Sequence, residues 1–218
     1  MISDTTLQSD VLAELRSDPS LDASHIGVTV RDGVVALIGT VPSYTEKWAA
    51  ERIAKRVYGV RGVAEELEVR LPPAAERTDA DIARAAITSL KWHTAVPEDR
   101  IQVTVAKGFL KLEGKVDWKY QKDAAENAVR NLTGVKSVAN YIETVAPRIV
   151  PGDVKEQIYG AFRRSAELDA RRIGIQCRNG KVTLHGNVRS WQERQEAQRA
   201  TWNVPGVREV ENDLVITP

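Results

Sequence analysis

The side chains that most often carry catalysis or bind metals are scarce in this chain of 218 residues. Its three histidines are His25, His93 and His185, and its one cysteine is Cys177. A nucleophile, a general base or a metal ion needs several such groups arranged around one point. These four residues follow no catalytic or metal-binding spacing, so we expect no enzyme activity, no metal site and no cofactor.

A repeated stretch shows how the chain is organised. It reads GVTVRDGVVALIGTV over residues 27–41, QVTVAKGFLKLEGKV over 102–116 and GIQCRNGKVTLHGNV over 174–188. Aligned on Ile26, Ile101 and Ile173, the copies share three glycines at equal offsets: Gly33, Gly108 and Gly180; Gly39, Gly114 and Gly186; Gly59, Gly134 and Gly206. Matched offsets predict three tandem domains, over residues 4–72, 79–146 and 151–217.

Hydrophobic periodicity predicts the same strands in each copy. Apolar residues alternate at Ile26, Val28 and Val30, which indicates a strand with one buried face. Cys177 aligns with Val30 and is therefore expected in the core. The dipeptides that follow suit a two-residue hairpin with positive φ at its tip: Asp32-Gly33, Lys107-Gly108 and Asn179-Gly180. The second glycine of each copy indicates a close backbone contact.

Amphipathic helices are predicted before and after each hairpin. The second helix starts with capping-box spacing at Ser43 and Glu46 and again at Ser190 and Glu193, while Asp117 is the expected cap in copy 2. A last strand follows the third glycine. The predicted order is α-β-β-α-β, so the fold class is α+β: three tandem domains, each a small three-stranded sheet packed against two helices.

This order and these glycines resemble the BON domain (bacterial OsmY and nodulation). The resemblance includes the Gly-Val-x-x-Val step before the last strand, which begins at Gly59, Gly134 and Gly206, and an asparagine two residues later at Asn140 and Asn212, where copy 1 has Glu65. It implies a non-enzymatic protein associated with phospholipid surfaces, envelope maintenance and osmotic stress. Some members of the family bind small ligands or potassium.

Charge and composition bear on partner and location. The net charge of +1 gives no general attraction to nucleic acid. The Gly59–Gly62 step has the form of a KH clamp loop, but Ser137 and Glu209 replace its second glycine in the other copies. We therefore expect no nucleic acid partner. The N-terminal residues lack the features of a signal peptide, which favours a cytoplasmic protein, with peripheral association with the inner membrane as one option.

Aromatic and basic residues near the start of the second helix form the predicted binding face: Tyr44, Trp48, Trp118, Lys119, Tyr120, Trp191, Arg194 and Trp202. Rings beside free helix N–H groups suit the interface of a phospholipid membrane. The other interpretation is that these rings cover helix ends or pack between copies.

Three functions follow from this pattern. The leading one is a binding or scaffold protein that engages a phospholipid surface or a protein partner through repeated weak sites. The alternatives are a sensor of a small ligand, potassium or another monovalent cation, and a purely structural assembly module. Copy 1 is acidic and copy 3 basic, so these two domains could also join copies of the chain into a homo-oligomer.

Overall fold

A computed structural model describes residues 3–145, 153–165 and 168–217. These residues form three domains with one element order. Domain 1 contains α1 (Asp4–Ser17), β1 (Ile26–Arg31), β2 (Val34–Val41), α2 (Tyr44–Arg56) and β3 (Gly62–Val69). Domain 2 contains α3 (Asp79–Trp92), β4 (Ile101–Ala106), β5 (Phe109–Val116), α4 (Lys119–Arg130) and β6 (Ser137–Thr144). Domain 3 contains α5 (Val154–Arg164), β7 (Ile173–Arg178), β8 (Lys181–Val188), α6 (Trp191–Trp202) and β9 (Glu209–Ile216). The predicted α+β fold in three tandem copies is confirmed.

Each domain has a three-stranded sheet with its strands in sequence order. In domains 2 and 3 the first two strands are antiparallel and the last two are parallel. A parallel pair needs a crossover connection, and the second helix supplies it. The inward side chains of the middle strand are fully buried against the helices: Val35, Leu37, Leu110, Leu112, Val182 and Leu184. On the opposite face, side chains such as Ile38, Phe109 and Tyr141 are exposed.

The hairpin tips adopt the positive φ angles that the sequence predicts. Asp32, Lys107 and Asn179 have φ between 52° and 54°, and the glycine after each also has positive φ. In domain 2 the first helix holds the tip, because Asp79 accepts hydrogen bonds from the backbone N–H groups of Lys107 (2.8 Å) and Gly108 (2.9 Å). Asp4 does the same in domain 1. The equivalent residue of domain 3 is a proline at position 151, outside the described residues.

The second glycine of each copy gives room for a neighbouring backbone. A Cβ atom on Gly114 would lie 2.1 Å from the carbonyl oxygen of Arg100, and one on Gly186 would lie 2.2 Å from that of Arg172. Both glycines also have positive φ. Because no other residue satisfies both constraints without strain, the predicted close contact is confirmed.

The start of the second helix differs among the domains. The capping interactions of Ser43 and Ser190 form as predicted, since each hydroxyl accepts the backbone N–H of the residue three positions on. The prediction for Asp117 was wrong. In domain 2 the side-chain oxygen of Gln121 accepts the backbone N–H groups of Asp117 (3.0 Å) and Trp118 (2.9 Å), and Trp118 takes the cap position. The carboxylate of Asp117 instead pairs with Arg100.

The core position predicted for Cys177 was also wrong, because its side chain is exposed. The first helix of domain 3 also starts later in the repeat: α5 begins at Val154, which aligns with Leu7, whereas α1 begins at Asp4. The first turn of α1 lies beside the hairpin tip of domain 1.

The asparagine of the last strand ties that strand to the second helix. Asn212 donates to the backbone oxygen of Arg194 and to the side chain of Gln198, and its own oxygen accepts the N–H of Leu214. Asn140 makes the corresponding bonds in domain 2. In domain 1, where no asparagine is present, the Nζ of Lys47 donates to the carbonyl of Leu67 instead (2.7 Å).

The chain divides into two compact units. One contains the described residues of 1–38, 50–66 and 147–218, which are most of domain 1 together with domain 3. The other contains the described residues of 39–49 and 67–146, which are the ends of β2 and β3 and the start of α2 from domain 1, together with domain 2.

Candidate binding surfaces

Three equivalent places on the second helices hold five of the eight predicted binding residues: Tyr44, Trp48, Lys119, Trp191 and Trp202. The first residue of the helix is Tyr44 in α2, Lys119 in α4 and Trp191 in α6. The fifth residue is Trp48, Asp123 and Gln195, in the same order. The twelfth residue is Lys55, Arg130 and Trp202. We call these the first, fifth and twelfth positions.

In domain 1 the aromatic residues of α2 contact domain 2. Tyr44 is half-buried and packs against the core of domain 2. The guanidinium carbon of Arg130 lies 3.6 Å from the ring centre of Trp48, within the range of a cation–π contact. Beside them the hydroxyl of Thr45 donates to the side-chain oxygen of Asn131 (3.3 Å). The interpretation as packing between copies therefore fits Tyr44 and Trp48.

In domain 3 the aromatic residues of α6 pack against their own core. Trp191 and Trp202 are half-buried there, and the indole nitrogen of each is buried without a hydrogen-bond partner. The ring centre of Trp191 also lies 5.3 Å from the Nζ of Lys55, in domain 1, and 5.5 Å from the guanidinium carbon of Arg194.

The guanidinium group of Arg194 forms hydrogen bonds within domain 3. It donates to the carbonyl oxygens of Asn212 (2.5 Å) and Leu214 (3.2 Å), so it fixes β9 to α6. It has the same position in the domain as Lys47, which binds the corresponding strand in domain 1. Lys122 stands there in domain 2, and among the described residues its side chain makes no such bond. Burial lowers the pKa of Lys122, and the positive charge of Lys119 lowers it further.

Domain 2 differs, because the aromatic residues at the start of its second helix reach solvent. Tyr120 is 55% exposed and Trp118 is half-buried. Lys119 forms an ion pair with Asp123. Trp118, Lys119 and Tyr120 are thus the part of the predicted face that is partly or fully open.

The last turn of α3 carries further exposed apolar and aromatic side chains of domain 2. Asp79, at the start of α3, contacts the hairpin tip, and Ser89, near its end, donates to the carbonyl oxygen of Ala128 in the last turn of α4. Trp92, the last residue of α3, is 82% exposed, and Ile87 is 56% exposed.

We call Ile87, Lys91, Trp92, Trp118, Lys119 and Tyr120 the aromatic end of domain 2. The sequence signal for its α3 part was present, because Ile87 and Trp92 lie off the buried stripe of that helix, which consists of Ile82, Ala86 and Leu90. No acidic residue occurs from position 82 to 97, whereas Arg84 and Lys91 do. This helix face therefore joins apolar and aromatic groups to positive charge.

The three histidines lie on open surface and do not come together. His25, His93 and His185 are all exposed, and the ring of His185 lies over Gly174, where a Cβ atom would be 2.2 Å from its Nε2. Among residues 3–145, 153–165 and 168–217, no three histidine, cysteine or acidic side chains come together in a way that could hold a metal ion. Within the same residues, no helix combines the length and hydrophobicity needed to cross a bilayer.

Acidic residues of domain 1 serve its own turns. Asp4 holds the hairpin, as described above. Hydrogen bonds from the side chain and backbone of Ser20 keep the pKa of Asp18 below its ordinary value. The backbone and side chain of Ser24 do the same for Asp22. Pairing of this acidic domain with basic domain 3 of another copy stays a prediction.

Comparison with known proteins agrees with the repeat. The BON domain family matches residues 3–70, 78–146 and 152–218. The osmotically-inducible protein Y of Escherichia coli (strain K12) is 31% identical over 149 residues, which cover 66% of this chain and 73% of that protein.

Solved structures of CdsD, a structural protein of the type III secretion system of Chlamydia trachomatis, also align. The C-terminal domain is 16% identical and aligns over the full length of both chains, with a TM-score of 0.27. A second CdsD structure is 17% identical, covers 97% of this chain and 92% of that one, and has the same TM-score. Similarity at this level says nothing about function or domain arrangement. The family match covers the three domains already described in the structure, and the chain belongs to the BON domain family.

Proposed function

We propose that this chain is a stress-related, non-enzymatic BON protein that binds a phospholipid surface through the aromatic end of domain 2. The observation that carries the proposal is Trp92, a large aromatic side chain that is 82% exposed at a helix end. Tyr120 and Trp118 supply further rings in the same domain. The family relationship to an osmotically inducible protein supports the role in stress.

The chemistry of this end suits the interfacial layer of a membrane. Tryptophan and tyrosine favour that layer because their rings are apolar and their N–H or O–H groups stay in contact with water. Lys91 and Lys119 supply positive charge for lipid phosphates. Burial of roughly 150 Å² of one tryptophan at about 25 cal/mol per Å² contributes about 4 kcal/mol of binding free energy. That free energy corresponds to a dissociation constant of about 1 mM. One ring alone therefore binds weakly, and the neighbouring rings and cations are needed.

Co-sedimentation of the full chain with lipid vesicles tests the proposal. Vesicles of phosphatidylglycerol and phosphatidylcholine should pellet the protein at low salt, and pure phosphatidylcholine should pellet less, because the lysines no longer meet a negative surface. A Trp92→Ala and Tyr120→Ala double variant should lose at least about tenfold in affinity, since it removes two exposed rings.

The matched control is Tyr141→Ala. Tyr141 is 65% exposed on the outer face of the domain 2 sheet. Its substitution therefore removes an exposed aromatic ring from a different surface of the same domain. Binding that is equal in the double variant and the control would overturn the assignment to this end. Failure of the wild-type protein to pellet with anionic vesicles would overturn lipid binding itself, and would favour a protein partner for the same aromatic residues.

A further inference from the structure

Two contacts between domains use the same positions of the second helix. In one, Arg130 at the twelfth position of α4 lies over Trp48 at the fifth position of α2. In the other, Lys55 at the twelfth position of α2 lies over Trp191 at the first position of α6. Each contact joins the start of one second helix to the end of another. In each, the start supplies an aromatic ring and the end supplies a cation.

The remaining helix start has different chemistry. In α4 the first and fifth positions hold Lys119 and Asp123, which form an ion pair with each other. No aromatic residue occupies either position. Trp118 and Tyr120 stand one residue before and one residue after the first position. The start of α4 therefore offers no ring where the other two helices receive a cation. The twelfth position of α6 likewise holds Trp202 in place of a cation.

We propose that the first, fifth and twelfth positions of the second helix determine which BON domains dock on each other. An aromatic residue at the first or fifth position makes a domain a receiver, and lysine or arginine at the twelfth position makes a domain a donor. The partner that fits a receiver is the cationic end of another second helix. Domain 1 is both, domain 2 is a donor and domain 3 is a receiver.

Physical chemistry favours a cation at this place. Unpaired carbonyl groups give the end of a helix a partial negative charge, so arginine or lysine is stabilised in its last turn. A guanidinium group close to an indole face keeps its charge while it loses part of its water, which strengthens the attraction to the ring. Tyr44 adds apolar contact with the core of domain 2, and Thr45 adds the hydrogen bond to Asn131. The contact thus combines charge, apolar area and a directional bond.

This inference does not depend on lipid binding. It assigns Tyr44, Trp48 and Trp191 to recognition between domains, and it predicts that domains 1 and 2 open together. A double-mutant cycle on the full chain tests it, with Trp48→Leu, Arg130→Met and the double variant. The readout is hydrogen exchange, which gives the equilibrium constant for opening of α2 and of α4 separately.

The expected coupling between the two substitutions is about fivefold in the opening constant, the usual strength of a partly desolvated cation–π pair. Arg130→Lys should keep part of that coupling because it keeps the charge. Arg84→Met is the matched control, since Arg84 is an exposed arginine of domain 2 whose guanidinium group pairs with Asp81. It should show no coupling to Trp48→Leu.

Two results would overturn the proposal. One is additivity of Trp48→Leu and Arg130→Met within error, which would show that ring and cation act separately. The other is equal coupling for Arg84→Met, which would show a general effect of charge. The lipid proposal and the docking proposal can fail separately. Arg130→Met should bind vesicles normally, and a protein that binds no lipid should still show the coupling between Trp48→Leu and Arg130→Met.

Discussion

Domains 2 and 3 build the same core and differ at its edges. Both bury two residues of the middle strand completely, and both place the second glycine of the repeat, within that strand, against a backbone carbonyl. Yet of these two domains, only domain 2 has a carboxylate among the described residues that accepts hydrogen bonds from the hairpin tip. The start of the second helix is open in domain 2, where Tyr120 is exposed, and packed in domain 3, where Trp191 lies against the core. The inner face sets the fold, and the helix ends and hairpin tips are where these copies have diverged.

The outer sheet faces support this conclusion. In domain 2 the aromatic residues Phe109 and Tyr141 are exposed there. In domain 3 the equivalent residues are Lys181 and Asp213, and Lys181 pairs with neighbouring glutamates. These side chains are exposed, so substitution there costs little packing. Specific contacts can therefore differ from copy to copy without loss of the fold.

The largest expected effect falls on what the two domains share. Gly114→Ala and Gly186→Ala should each lower the free energy of unfolding of the affected domain by about 3 kcal/mol or more, because the new methyl group meets a carbonyl oxygen and positive φ is unfavourable for alanine. Hydrogen exchange, read separately for each domain, measures the loss. Gly62→Ala is the control, since its nearest neighbours are ordinary contacts at 3.8 Å. Equal, small effects at all three sites would contradict the shared constraint.

The next largest loss of stability should distinguish the start of α6 in domain 3 from the start of α4 in domain 2. Trp191→Ala should destabilise domain 3 by about 2–3 kcal/mol, because the ring packs against the core and no smaller residue fills the space. Trp118→Ala should cost domain 2 only about 1 kcal/mol, since that ring is half-buried at the domain end. Both losses are measured by hydrogen exchange at increasing denaturant concentration, which reports the free energy of unfolding of each domain. Similar losses in the two variants would show that the helix starts are packed alike.

The sequence was sufficient for the fold because the repeat supplied three independent readings of each position. A glycine such as Gly114 recurs at one offset in all copies, and so does the alternation of Leu110 and Leu112. A single copy would have left the hairpin and the crossover uncertain. What constrains these positions is local: turn geometry, alternation and burial against a helix of the same domain.

The candidate sites could not be found in the same way. Trp48 and Tyr120 are both aromatic residues near the start of a second helix, and the sequence placed them in one binding face. The structure separates them, because the surroundings of Trp48 include Arg130 of another domain, which is 82 positions away in the chain. Contacts between domains have no local pattern, so composition and spacing could not show which rings are covered.

A moderate effect is expected from the hydrogen bonds between Asp79 and the hairpin tip. Asp79→Ala should cost domain 2 about 1–2 kcal/mol, because two backbone N–H groups lose a charged acceptor and regain only water. The substitution should also raise amide exchange at Lys107 toward the rate of Asn179 in domain 3, whose tip has no such acceptor among the described residues. Asp4→Ala should act alike on domain 1. Unequal exchange at the two tips after Asp79→Ala would mean that the carboxylate is not what distinguishes them.

The smallest effect concerns Cys177, which sequence alignment placed in the core and the structure places in solvent. Its replacement by serine should change the free energy of unfolding by less than about 0.5 kcal/mol, the usual range for an exposed site. The thiol should also react with Ellman's reagent in the native protein. Val105→Cys, made in a Cys177→Ser background, is the matched control, because Val105 is half-buried at the equivalent position, where α3 keeps its first turn. That thiol should react more slowly, since α3 shields it. If both thiols react at one rate, the missing turn of α5 is not what exposes Cys177, and the difference between domains 2 and 3 at this edge must come from the strand itself.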